Sequence, residues 1–241
     1  MSLGLGVEFT YLGHSTFLLT SPEGVELLVD PWVMNNPRCP EKFHRFERLD
    51  LMLVTHGHFD HIQDAVQLYE QQQPEAIVAI FETAHWLQSK GVPAGVTRPM
   101  NKGGTQEVAG LQVTMVHAVH SCGILDGGQI LYGGEACGYV ITFQNGRRVY
   151  HAGDTAVFAD MELIAELYEP DLALLPVGDH FTMSPREAAK ACELLRVPRV
   201  IPMHYGTFPL LTGTPEALQA ECKARGVEVE VVEVKPGGTV D

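Results

Sequence analysis

The sequence predicts an α/β protein, on three observations. Short apolar runs of strand length alternate with stretches of helical periodicity, turn-forming residues punctuate them, and no apolar run approaches the length of a membrane span. At 241 residues the chain can bury about three quarters of its unfolded surface and needs no disulfide staples. With no linker, repeat or low-complexity tract, it reads as one domain over residues 1–241.

The first third reads as a meander. Val7–Tyr11, Thr16–Thr20 and Val25–Val29 are strand-like, with Ser21-Pro-Glu-Gly24 as the turn between the last two. Leu51–Val54 is a short apolar strand that leads into Thr55-His-Gly-His-Phe-Asp-His61. Beyond it Ile62, Ala65, Val66 and Tyr69 recur at helical spacing. Ala76–Ile80 is a strand, and Thr83 to Lys90 a helix that Gly91 is placed to cap. Leu111–Val116 is a strand ending at His117 and His120; Tyr139–Phe143 and Arg148–His151 flank a Gln144-Asn-Gly146 hairpin signal. Leu172–Pro176 is a buried strand. Ser184-Pro-Arg-Glu187 is a capping box with Pro at the first helical position, so a helix should run to about Leu195. Arg199–Pro202 is a strand, Thr214-Pro-Glu opens a helix ended by Gly226, and Glu228–Val232 closes the series.

Composition narrows the function. The hydrophobic fraction of 45 % and charged fraction of 19 % belong to a folded soluble chain rather than a disordered one. A formal net charge of −14 offers no electrostatic footprint for nucleic acid or an anionic membrane. The five cysteines lack CxxC spacing and read as reduced, mostly buried thiols. The first residues carry no basic segment followed by an apolar stretch, so the expected location is cytoplasmic.

Four predicted strands, Leu51–Val54, Leu111–Val116, Arg148–His151 and Arg199–Pro202, run straight into loops bearing His or Asp. Such positions are held by a sheet yet reach the surface, which suits a metal site. In His56-Gly-His58-Phe-Asp60-His61, residues i and i+2 of an extended segment point the same way, so His56 and His58 can bind one ion. Asp60 and His61 lie where the chain turns into a helix and can face a second ion, while Gly57 lets the backbone pass close to the metals. Chance alone would produce such a run in about one chain per thousand of this composition. Imidazole and carboxylate suit Zn, Mn or Fe. Four ligands are too few for two ions; His120, Asp154 and His204, each after a strand, are the candidates for the rest.

The order HxHxDH, a His, Gly-Asp and a late His resembles the metallo-β-lactamase superfamily over essentially the whole chain. More narrowly, Leu12-Gly-His-Ser15, Val29-Asp-Pro31, His120-Ser121, His151-Ala-Gly-Asp-Thr155 and His180-Phe-Thr-Met183 resemble the UPF0173 metal-dependent hydrolases, relatives of the ascorbate-6-phosphate lactonases. The resemblance implies a four-layer αββα sandwich with the site at one edge between two sheets. It also implies His56, His58 and His120 on a first metal, Asp60, His61 and His204 on a second, and Asp154 bridging both. His117 could replace His120, although His-Ser is the better family match. Among the remaining histidines, His14 is expected to line the substrate pocket, and His180 to bind substrate or stabilise an oxyanion. His151 is expected to pack or hydrogen-bond near Asp154, and Asp30 to orient a ligand histidine; His44 and His85 read as surface residues. Related lactonases assemble into homo-oligomers, so self-association is compatible with the sequence.

The chemistry that follows is hydrolysis. Two ions sharing a water would generate hydroxide near neutral pH for attack on a carbonyl carbon or phosphorus, with Asp60 steering the proton. A lactone, thioester or phosphodiester of a small anionic substrate is the expected target. Main-type zinc β-lactamases have Cys where this chain has Asp154, so β-lactam cleavage is not expected. The competing readings are a nucleic-acid phosphodiesterase, which the acidic charge and absence of basic runs oppose, and a non-catalytic metal-binding scaffold, which a full ligand set opposes.

Overall fold

In a computed structural model of the chain, which describes residues 2–241, two seven-stranded sheets face each other. The first is entered through β1 (Glu8–Gly13), β2 (Thr16–Thr20), β3 (Glu26–Val29) and β4 (Leu51–Leu53). Helices α1 (Phe59–Ile62) and α2 (Ala65–Gln72) lead to β5 (Ala76–Ile80), and α3 (Phe81–Ser89) to β6 (Thr97–Met100). The second sheet starts with β7 (Thr105–Val108) and β8 (Leu111–His117). A separate hairpin follows, β9 (Gly123–Asp126) and β10 (Gln129–Tyr132), before β11 (Cys137–Thr142) and β12 (Arg148–His151) resume the sheet. Then come α4 (Met161–Tyr168), β13 (Leu172–Pro176), α5 (Pro185–Leu195), β14 (Arg199–Met203), α6 (Pro215–Arg225) and β15 (Glu230–Val231). The chain returns to the first sheet as β16 (Thr239–Val240), antiparallel to β1.

Strand alternation produces the layers. Leu27, Val29, Leu51, Leu53 and Val78 point inward and meet Met115, Tyr139, Ile141, Leu172, Leu174 and Ile201 of the opposite sheet. Their neighbours Leu28, Met52, Ile77 and Ala79 point outward under Ile62, Ala65, Leu68, Ala84 and Leu87 of α1 to α3. On the far side Val140, Tyr150, Ala173, Leu175 and Val200 lie under Met161, Ile164, Ala188, Cys192 and Leu218 of α4 to α6. A strand covered on both faces must be apolar at every position, and β4, β5 and β13 are buried throughout. The result is the αββα sandwich that the resemblance implies.

The sequence shows no repeat, yet the two sheets share one order of pairings. From one edge, β16-β1-β2-β3 and β7-β8-β11-β12 are antiparallel, and β3-β4-β5-β6 and β12-β13-β14-β15 are parallel. Parallel neighbours end at the same edge. The C-terminal ends of β3 and β4 therefore lie together, as do those of β12, β13 and β14.

Most predicted elements appear with ends shifted by a residue or two. The capping box holds: Ser184 Oγ accepts from Glu187 N, and Glu187 Oε2 accepts from Ser184 N. The helix expected after His61 is broken in two, because the Asp64 carboxylate turns away to accept from the amides of Val33 and Met34 at 2.6 and 2.8 Å. All five cysteines are free and buried. Strands β6, β7, β9, β10 and β16 and helix α4 were not anticipated. The Asp126-Gly127-Gly128 turn of the β9–β10 hairpin is itself a legible signal, with both glycines at positive φ. No described helix is long and apolar enough to cross a membrane.

The two sheets are also joined by polar contacts at the edge where β4 ends. Buried Tyr139 on β11 donates its hydroxyl to the Val54 carbonyl at 2.8 Å, and Cys137 N donates to the Thr55 carbonyl at 3.1 Å. Tyr139→Phe should therefore cost about 1–2 kcal/mol, by leaving a buried carbonyl without this donor. Chemical denaturation would register this as a lower midpoint at unchanged slope; an unaltered midpoint would mean that apolar packing alone sets the register of the two sheets.

Candidate metal centre

Every ligand candidate sits at the C-terminal end of a strand. His56 and His58 follow β4, Asp60 and His61 form the first turn of α1, His120 follows β8, Asp154 follows β12, and His204 follows β14 directly. Open α/β sheets present ligand sites at such ends. The approach to Asp154 depends on Gly153, whose φ of +61° few other residues adopt and whose missing side chain admits the Cys137 carbonyl and Thr55. Gly57 is required for a different reason than expected: a Cβ there would collide with the buried Ile124 side chain of β9, so the hairpin, not a metal, occupies its space.

Ring nitrogens of His56, His58 and His120 converge to within 4.8 Å of one another. His56 Nε2 lies 3.1 Å from His58 Nδ1, and His120 Nε2 3.3 Å from the same atom. A second group gathers His14, Asp60, His61 and His204. Asp154 lies between the two. Its Oδ2 is 3.9 Å from His56 Nε2, 3.7 Å from His120 Nε2, 3.3 Å from His61 Nε2 and 3.0 Å from His204 Nε2.

Outer contacts aim these donors. Asp30 Oδ2 accepts from His61 Nδ1 at 2.7 Å and from Thr55 Oγ1 at 2.9 Å, while its Oδ1 accepts from Thr55 N. With the Thr55 proton committed to Asp30, Thr55 Oγ1 accepts from His56 Nδ1 at 3.0 Å. Both rings thereby carry their proton on Nδ1 and present the Nε2 lone pair inward. His58 is held the other way, with Nε2 against Ser121 Oγ at 3.2 Å and Nδ1 inward. His151 Nδ1 accepts from Gly153 N, and its Nε2 donates to the Ser15 carbonyl, which pins the loop before Asp154. Thr55 and Ser121 lie within the quoted motifs, but their orienting roles carry no spacing signal because each acts through a single hydroxyl.

Burial is the largest influence on these groups. It pushes His56, His58 and His120 below the ordinary histidine range, aided for each by neighbouring histidine charge, so they are neutral and ready to donate a lone pair. Burial opposes charge on His61 too, but the flanking Asp154 and Asp30 carboxylates outweigh it and raise that ring above the ordinary histidine range. Its Nε2 therefore faces an environment built for positive charge, which a bound cation would supply in place of a proton. Burial would raise Asp60, but the His14 hydrogen bond and the His61 charge hold it down at about 2. Asp154 is held well below the usual carboxylate range against its own burial, chiefly by His204 and His61. Converging ring nitrogens, a His61 Nε2 without an aligned hydrogen-bond partner, and a buried carboxylate among four imidazoles all call for a cation. The residues fit divalent ions with nitrogen and oxygen ligands.

The other histidines are placed differently from one another. His117 is exposed, pairs with Lys102 and stays apart from these groups, whereas His120 groups with His56 and His58. His14, expected at the substrate, is instead buried behind Asp60, with Nε2 2.9 Å from Asp60 Oδ2 and Nδ1 3.0 Å from Thr207 Oγ1. His180 is also displaced from its expected role: at a φ of +60° it stands exposed against Phe181, and Phe181 is the residue of that loop that lines the cleft. His85 is exposed and His44 half-buried. The cleft, about 670 Å³, opens over His58, Asp60, His120, Asp154 and His204 and is walled by apolar side chains.

Known proteins resemble the chain over nearly its whole length. Residues 25–205 match the model of the β-lactamase superfamily domain. A UPF0173 metal-dependent hydrolase of Solibacter usitatus is 57 % identical, over 97 % of this chain and 99 % of that protein. Another, from Koribacter versatilis, is 55 % identical over 97 % of both chains. The solved structure of a metallo hydrolase from the archaeon Ignicoccus hospitalis superposes with a TM-score of 0.85 at 36 % identity, covering 97 % of each chain. The chain is thus a metallo-β-lactamase-fold enzyme and belongs to the β-lactamase superfamily, within the UPF0173 metal-dependent hydrolases.

Proposed function

We propose that the enzyme uses a dinuclear centre to hydrolyse an ester-type bond (lactone, thioester or phosphodiester) of a small anionic substrate. The reading rests on the Asp154 carboxylate, within 4 Å of ring nitrogens from both ligand groups. His56, His58 and His120 would hold one ion, Asp60, His61 and His204 the other, and Asp154 both; zinc suits this set, with manganese or iron as alternatives. Divalent ions held there supply Lewis acidity, acidify water toward neutral pH, and leave positive charge in excess of the two carboxylates.

The chain's own contribution is positional. Asp30 and Thr55 fix the His61 and His56 rings, and His14 fixes Asp60 through the bond to its Oδ2. Asp60 lines the cleft as a carboxylate held near 2, so it steers a proton through hydrogen bonding and does not store one at neutral pH. His180 enters the reaction in this reading only through its loop, by positioning Phe181.

Elemental analysis of purified protein should find about two ions per chain, and both His58→Ala and Asp154→Ala should lose metal together with hydrolysis of a lactone, thioester or phosphodiester panel. Uptake of one ion or none under every metal supply would sink the dinuclear reading. Asp30→Asn keeps the acceptor for Thr55 N but turns an amide toward His61 Nδ1, so affinity for metal should weaken about 10- to 100-fold in a chelator competition. Unchanged affinity would show that the His61 ring is aimed by packing instead.

A further inference from the structure

We propose that the substrate carries an apolar arm, an alkyl or aryl group of several carbons beside the bond that is cut, and that hairpin β9–β10 is the wall that selects it. The inference rests on the hydrolase reading and adds the class of substrate. Above the polar floor the cleft is walled by Phe59, Leu125, Ile130, Phe181 and Phe208. Four of these are large side chains left open to solvent, at 48 % for Phe59, 62 % for Leu125, 79 % for Ile130 and 54 % for Phe181. Apolar groups gathered at one mouth, over converging polar groups, mark a surface that a ligand covers. No lysine or arginine lines the cleft among the described residues, so a substrate bearing several phosphates would find no side-chain counter-charge.

The wall is built in advance. At the hairpin tip the Asp126 carboxylate accepts from Trp86 Nε1 at 3.0 Å and Lys90 Nζ at 2.8 Å, both on or next to α3. At its base Gly133 O accepts from Thr83 Oγ1 at 2.7 Å. Ile124 packs into the space left by Gly57, between the ligand candidates His56 and His58. One face of the hairpin thus sits on the metal-binding loop while Leu125 and Ile130 face the cleft, which fixes the distance from wall to reacting bond. In the reaction water adds across the acyl bond: the acyl carbon–oxygen or carbon–sulfur bond breaks, the water oxygen stays on the acyl carbon as carboxylate, one water proton goes to the leaving alcohol or thiol, and the other is released to solvent.

The test uses the metal-loaded protein and p-nitrophenyl esters from acetyl to decanoyl, with calorimetric binding of the matching product carboxylates. Both kcat/KM and affinity should rise about two- to fourfold per added methylene until the walls are covered. The double variant Leu125→Ser, Ile130→Ser alters exposed positions; with its Tm retained, it should lower the decanoyl-to-acetyl ratio at least about tenfold, the loss expected from a few uncovered methylenes. Hydrolysis without chain-length preference would overturn the apolar arm and leave the hydrolase intact. Chain-length-dependent binding without ester hydrolysis would overturn the ester reading and support the wall. A preference that survives in the double variant, or a change of oligomeric state in its place, would overturn the role given to the hairpin.

Discussion

A carboxylate that is 2 % exposed, and that must remain charged, is the demand around which the rest is arranged. Burying a charge is costly unless it is paired and hydrogen-bonded. Asp154 is compensated by four imidazoles from three loops of two sheets, so no single segment of the chain can form its environment. Two of the imidazoles that answer it, His56 and His61, are fixed by partners of their own, the Thr55 hydroxyl and a further buried carboxylate, Asp30, behind the histidines.

That demand is met with strained backbone. His14, Asp30 and His204 all hold left-handed φ values of 53–60°, at a cost of about 1–3 kcal/mol each for residues with a side chain. All three lie where a strand of the sandwich has just ended, and His204 N donates to the His14 carbonyl at 2.7 Å across the gap between sheets. The well-packed core on either side holds conformations that an isolated loop would abandon. The matching order of pairings in the two sheets brings their C-terminal strand ends to one edge, where those loops can meet.

Much of this was legible in the chain. The HxHxDH run announces itself by spacing, and the strand-then-His or strand-then-Asp pattern picks out His120, Asp154 and His204 because a short apolar run before a polar loop is a local signal. What lay hidden depends on contacts distant in sequence. Asp64 breaks a helix to serve a loop 30 residues earlier, and Gly57 is small because of a hairpin side chain 67 residues later, Ile124. The roles expected for His14 and His180 came with the family resemblance, whereas burial behind Asp60 and a left-handed turn decide where those rings lie. Helix α4 was overlooked although Met161, Ile164 and Ala165 keep helical spacing; β6 is masked by Pro99, which only a strand near a sheet edge accommodates.

The return of β16 to the first sheet sets an order of events for synthesis and folding. Phe9 pairs with Val240, so the outer edge of β1 stays open until a segment more than 200 residues later has been made. The corresponding edge of the other sheet is closed early by β7, which pairs with the adjacent β8. Contacts of such separation form late, and an unpaired strand edge invites association with other chains in the meantime. Nascent or partly unfolded molecules are therefore most vulnerable to aggregation along β1.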